Sequence, residues 1–296
     1  MRIGPSPRIA MGTDVGVVRE RNEDAAYVDP EGAFAILADG MGGHGAGDIA
    51  SATAVAAVRA CLEAARRELT TMAASGERGR EAILALIERA ARRANDEVLE
   101  RGRQQPDTRG MGTTLEIVVV VGTDGFVAHA GDSRTYLIRE GVATQLTTDH
   151  TVVEVMRRNG TLSDAEAAQS PMRSVLCNAI GVSEEVGVEV LHVALERGDR
   201  LLACSDGLYE DLALDELADG AVSSDLDGAV VALIELARAR GGHDNITAVL
   251  IAPQVPAPAL EDCSEDTLVG FVERALREEK TQPHRVPATG SGRGSR

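Results

Sequence analysis

"ADGMGGHGAG", residues 38–47, ends an apolar run, Phe34 to Ala38, on an acid, and then places five glycines in eight residues. Gly40-Met41-Gly42-Gly43-His44-Gly45 fits G-x-G-x-x-G, and it lies between a predicted strand and a predicted helix, as a dinucleotide-binding turn requires. That fold also needs a second parallel strand that ends in an acid about 20 residues further on. Glu63 stands near that distance, but inside an Ala-rich helical pattern over 46–69. A second helical pattern, over 79–101, follows before any strand returns near residue 114. No G-K-[ST] follows the glycines either, so both nucleotide-loop readings fail.

The acid before the glycines carries more information. Three apolar strands end on an aspartate beside glycine: "AILADG" at Asp39, "VAHAGDS" at Asp132 and "LLACSDG" at Asp206. Asp244, in "GGHDNIT", precedes a further strand, "NITAVLIA". A single Asp-Gly is normally a hairpin turn. Asp39 and Asp206, however, are followed by a helix or an irregular segment rather than by a returning strand. Four such acids meeting at one end of a sheet structure would repel and protonate one another unless cations held them. All-oxygen sites suit Mg²⁺ or Mn²⁺, and two such ions can bind a phosphoryl oxygen and activate a water.

The rest of the chain fits an α+β architecture. Short strands over 8–39, two helices, a run of strands from 114 to 147 and two later helices at 213–219 and 226–240 do not alternate as βαβ units. The 296 residues are 44% hydrophobic but only 2% aromatic, so the core must be aliphatic. A net charge of −17 argues against nucleic acid or an anionic membrane as partner. Cys61, Cys177, Cys204 and Cys263 form no C-x-x-C pair, which excludes a zinc framework and points to a reducing cytoplasm. Cys61-x5-Arg67 has the spacing of a cysteine phosphatase but lies mid-helix without glycine, so Cys61 reads as a core residue. No apolar stretch is long enough to span a membrane. After Pro253 the composition changes. Residues 253–263 read as a Pro-rich linker, 264–280 as an amphipathic helix that docks on the body or on a partner, and 281–296 as a disordered tail.

Eight motifs in order carry a resemblance over residues 8–252: "TDVGVVRERNEDA" (13–25), "LADGMGGHGAGDIAS" (37–51), "GMGTTL" (110–115), "AGDSRTYLIR" (130–139), "LTTDH" (146–150), "NAIG" (178–181), "CSDGLYEDL" (204–212) and "GGHDNIT" (241–247). Together they resemble the metal-dependent serine/threonine protein phosphatases of type 2C, in their bacterial form. The resemblance implies a β-sandwich of two antiparallel sheets flanked by α-helices on both sides. It implies two Mn²⁺ or Mg²⁺ ions, with Asp39 bridging them, the Gly40 carbonyl on one, Asp206 and Asp244 on the other, and Glu23 acting through bound water. Asp132, with Asp206, resembles the ligands of a third, weaker ion. Arg19 matches the phosphate-binding arginine, and the implied chemistry is direct attack of a metal-bound hydroxide on phosphoserine or phosphothreonine. Many eukaryotic members carry His directly after the Asp-Gly. Here Met41 stands there, and His44 is the remaining candidate for assisting the leaving alkoxide. Segment 151–175 matches the variable flap that shapes substrate choice. Implied partners are phosphorylated proteins, including bacterial serine/threonine kinases and their substrates. A pseudophosphatase that binds phosphoproteins without turnover, and a dedicated regulator of an anti-sigma pathway, are the rival readings.

Overall fold

The computed structural model describes residues 6–42, 46–104, 106–223 and 225–255. The expected helix at 264–280 and the tail at 281–296 lie outside them. The N-terminal strands are β1 (Arg8–Asp14), β2 (Asp24–Val28) and β3 (Phe34–Met41). Helices α1 (Gly47–Ala73) and α2 (Glu77–Gln104) follow. The chain then returns to strands: β4 (Gly112–Thr113), β5 (Leu115–Val121), β6 (Asp124–Ala130), β7 (Arg134–Arg139) and β8 (Val142–Gln145). Two short helices, α3 (Val152–Arg158) and α4 (Asp164–Ala168), lead to β9 (Glu189–Ala194) and β10 (Arg200–Cys204). The last elements are α5 (Asp206–Tyr209), α6 (Leu214–Ala221), α7 (Leu226–Arg240) and β11 (Ile246–Ala252).

Two antiparallel sheets result, ordered β1-β11-β10-β7-β8 and β2-β3-β5-β6-β9, with β4 added to the end of β3. The period of two in the strands builds three apolar layers. In β3, Phe34, Ile36 and Ala38 face α1 and α2, while Ala35 and Leu37 face the opposite sheet. In β11, Ile246, Ala248 and Leu250 face α6 and α7, while Val249 and Ile251 point between the sheets. Strands buried on both faces are mostly apolar, which is why β5 reads "LEIVVVV", with Glu116 as its one buried charge. The helices meet their sheets through small side chains. Ala50, Ala54, Ala57, Val58, Leu62 and Leu69 form the buried stripe of α1, spaced for one helical face. Cys61 packs against this layer.

The fold class expected from the sequence is therefore the fold observed, with helix pairs outside both sheets. Two local details differ. β3 does not stop at Asp39 but runs on to Met41, because Gly40 and Met41 pair with Thr113 and Gly112 of β4. A two-residue strand is too short to show a period, so β4 left no signal in the sequence. No helix among the described residues is long and apolar enough to cross a membrane.

Candidate active site

One end of the sandwich gathers the acids. Asp39 lies near the end of β3, and Asp24 opens β2 directly opposite it in the ladder. Asp132 follows β6, Asp206 follows β10 and Asp244 precedes β11. Arg19, Glu23, Asp39, Gly40, Asp132, Asp206 and Asp244 line a single cavity of about 530 Å³. His44 lies outside the described residues.

The glycines serve close approach rather than a nucleotide. A Cβ on Gly40 would sit 2.1 Å from the Gly47 carbonyl oxygen and 2.5 Å from that of Glu23. A Cβ on Gly47 would in turn meet the Gly40 carbonyl oxygen at 2.7 Å and Glu23 Oε2 at 2.8 Å. Only bare backbone lets the start of α1 press against the end of β3. The same approach brings the Gly40 carbonyl and the Glu23 carboxylate together.

Hydrogen bonds hold Asp39 and the loop of Glu23 in place. Thr114 Oγ1 accepts from the Asp39 N–H at 2.9 Å, and Thr113 Oγ1 donates to the Asp39 carbonyl at 2.8 Å. The Glu23 carbonyl accepts from Ser51 Oγ at 2.6 Å and from the Gly40 N–H at 3.1 Å. Asn245 does more than shape the turn at Asp244. Its Oδ1 accepts from the Glu23 N–H, and its Nδ2 donates to the carbonyls of Val15 and Arg21. One amide therefore fixes the loop that carries Arg19 and Glu23. Arg19 itself donates to Asp244 Oδ2 at 2.5 Å, and its side chain is 53% exposed at the cavity. The phosphate-binding candidate is thus paired with a proposed ligand in the structure.

Asp24 carries no mark of function in the sequence, where it stands beside Glu23. It is half-buried, and its Oδ2 accepts from Ser205 Oγ at 2.9 Å and Thr247 Oγ1 at 2.6 Å. Its Oδ1 has no hydrogen-bond partner, and neither does Asp206 Oδ1. Orphaned buried oxygens of this kind are rare and call for a ligand.

The electrostatics agree. Burial, followed by the charges of Asp24, Asp206, Asp132 and Asp244, holds the Asp39 carboxyl well above the usual range. Burial, then Asp132 and Asp244, pushes Asp206 up to about 8. Asp132 rises to about 6 through burial and then Asp149. Asp24 rises to about 6 chiefly through burial, against the hydrogen bonds from Thr247 and Ser205. These acids resist ionising together in a bare site, and divalent cations remove that conflict. The donor set is all oxygen, as hard cations require.

Among the described residues, His129, His150 and Glu189 also bring possible ligand atoms within 4.8 Å of one another. Those atoms are already engaged. His129 bonds Glu116 through Nδ1 and donates from Nε2 to the Thr148 carbonyl at 2.9 Å, while Glu189 accepts from the Thr148 N–H at 2.8 Å. Burial, then the neighbouring His129, lowers His150 to about 4. The trio is an internal polar network beside the acid site. A second cleft, of about 820 Å³, opens between α3, α4 and Tyr209, and it shares Asp132 and Ser174 with the first.

The protein phosphatase 2C family profile matches residues 12–250. The chain belongs to that family. The serine/threonine protein phosphatase PstP of Mycobacterium tuberculosis is 35% identical over 243 residues, which cover 82% of this chain and 44% of that protein. The chain thus spans less than half the length of this 2C relative. The serine/threonine phosphatase stp of Listeria innocua is also 35% identical, with 81% of this chain and 93% of that one covered. The solved catalytic domain of PstP in complex with two manganese ions superposes with a TM-score of 0.70 at 32% identity, covering 83% of this chain and 97% of the other. The 2C fold of that domain is the sandwich described above.

Proposed function

We propose that the chain is a Mn²⁺- or Mg²⁺-dependent phosphatase that hydrolyses phosphoserine and phosphothreonine in proteins. The observation that carries this reading is the convergence of Asp39, Asp206, Asp244 and Asp132 on the cavity that Arg19 enters. Asp39, the Gly40 carbonyl, Asp206 and Asp244 would hold two ions, and Asp132 with Asp206 a third. Glu23 would act through water. When bound, such ions lower the pKa of water and neutralise phosphoryl oxygens, so attack by water needs no covalent phosphoenzyme.

The chain's own groups supply the rest. The planar Arg19 guanidinium suits two phosphate oxygens at once. Its exposure lets it exchange Asp244 for substrate. Asn245, Ser51 and Gly40 hold the Glu23 backbone, so Arg19 and Glu23 approach the phosphate from one fixed loop. The cleft under α3 and α4 is where substrate residues flanking the phosphate would lie. Phosphorylated proteins, including kinases and their targets in a bacterial cytoplasm, are the proposed partners. The complete acid set and the phosphate-facing arginine speak against a binding-only pseudophosphatase.

The test is steady-state hydrolysis of a phosphothreonine peptide with Mn²⁺ present. Wild-type chain is expected to release phosphate. Arg19→Ala is expected to lose about 10–100-fold in kcat/KM, the worth of a charge-assisted phosphate contact. Tight peptide binding by the Mn²⁺-loaded chain without phosphate release would establish the pseudophosphatase instead.

A further inference from the structure

Segment 151–175 leaves and rejoins the body through a pinned base. Thr151 bridges Leu176, the Val152 N–H donates to the Val175 carbonyl at 2.9 Å, and the Cys177 N–H donates to the His150 carbonyl at 2.9 Å. His150 stands at this base and turns its remaining groups toward the acid site. Its N–H donates to the Gly131 carbonyl at 2.7 Å. Its ring Nδ1 accepts from the Gly131 N–H at 3.1 Å and from Asn178 Nδ2 at 2.8 Å. Asn178 is fixed in turn by bonds in both directions to the Gly187 backbone, at 2.8 Å each. Both polar groups of the Gly131 backbone therefore end on one residue.

Gly131 is the residue before Asp132. It has φ +116°, and a Cβ there would lie 2.7 Å from Thr114, the residue whose hydroxyl holds Asp39. A backbone in this region keeps its course only where its surroundings dictate it. The His129 ring, 4.6 Å from that of His150, is occupied by Glu116 and Thr148 and offers Gly131 nothing.

We propose that His150 is a positioning residue that ties the Asp132 carboxylate to the base of segment 151–175, so that cation affinity on the Asp132–Asp206 side depends on the hydrogen-bond acceptor at His150 Nδ1. The inference rests on reading Asp132 as a cation ligand. His150 touches neither cation nor substrate in this role. It sets where the chain turns before Asp132.

The test compares three substitutions in the full chain. His150→Asn keeps an acceptor at the Nδ1 position, His150→Gln moves the same amide one methylene outward, and His150→Phe keeps a ring without an acceptor. Bound Mn²⁺ is counted by electron paramagnetic resonance, and exchange of the Gly131 amide is followed by NMR. Gln and Phe are each expected to weaken the weakest Mn²⁺ site by about 10–100-fold, the usual effect of losing a residue that orients a ligand. Both should also speed Gly131 exchange. Asn is expected to stay within about threefold of wild type on both measures, below the loss that a ligand-orienting residue carries. If the Phe variant does not fold, Gln alone decides. Unchanged affinity and exchange in Gln, or an Asn variant as impaired as Gln, overturns the proposal. Asp132→Asn separates the two readings. If it leaves the weakest site intact, the assignment of Asp132 fails. If it removes that site while Gln behaves as wild type, only the role of His150 fails.

Discussion

Asp206→Asn is expected to lower kcat by at least about 10³-fold, or ~4 kcal/mol of barrier, while making the metal-free chain more stable. The two effects have opposite signs because one carboxylate causes both. Asp206 is half-buried, its buried Oδ1 has no partner, and Asp132 and Asp244 crowd it. A neutral amide of the same shape removes the repulsion and the cost of desolvating a charge. The amide also removes the anionic ligand on which the cations depend. Thermal unfolding after chelation should therefore give a higher Tm for the variant than for wild type. Addition of Mn²⁺ should reverse that order, because only wild type gains the full binding energy. A variant that is less stable than wild type when both are stripped would show that Asp206 has a stabilising partner in the bare fold.

The second large effect is a pH-dependent gain in stability on adding Mn²⁺. In an unfolded chain an aspartate titrates near 3.9. In the bare folded site Asp206 is raised to about 8, Asp132 and Asp24 to about 6, and Asp39 in the same direction. Below about pH 4 both states are protonated and the stability tied to these groups is fully present. As pH rises above about 4 the unfolded chain loses these protons first, while the folded chain keeps those of Asp132 and Asp24 until about pH 6 and that of Asp206 until about 8. The contribution of these groups to folding is therefore lost across that window. Cations replace the protons, so the difference in Tm between Mn²⁺-loaded and stripped chain should widen steadily from pH 5 to 8. It should reach about 5–10 °C at an ion concentration near 100 Kd. Other ionisable pairs, such as Arg66 with Asp29, are common to both samples and cancel in the difference. A difference that stays flat over this range would mean that the carboxylates are not the groups that bind the ion.

Much of this site could be read along the chain, because its acids stand at strand ends. "AILADG" and "LLACSDG" announce a buried strand, its end and an acid in six or seven residues. The layering was legible for the same reason, since strands such as β5 are apolar at all but one position. What could not be read is what reaches the site from a distance in sequence. Asp24 looks like any surface acid until β2 is placed against β3. The long reach of Asn245 to Val15, Arg21 and Glu23 spans more than 200 residues. His150 lies in a motif quoted whole, "LTTDH", yet its role appears only once Gly131 and Asn178 stand on either side of it. The pairing of Arg19 with Asp244 is likewise a tertiary fact, since the two are 225 positions apart.

The most direct test is phosphate release from a phosphothreonine peptide by one preparation, first stripped with a chelator and then titrated with Mn²⁺ while bound ions are counted. The expected result is no turnover from the stripped chain and activity that rises as the second ion binds. Turnover by the stripped chain, or full activity with a single ion bound, would contradict a site in which Asp39, Asp206 and Asp244 work by holding two cations.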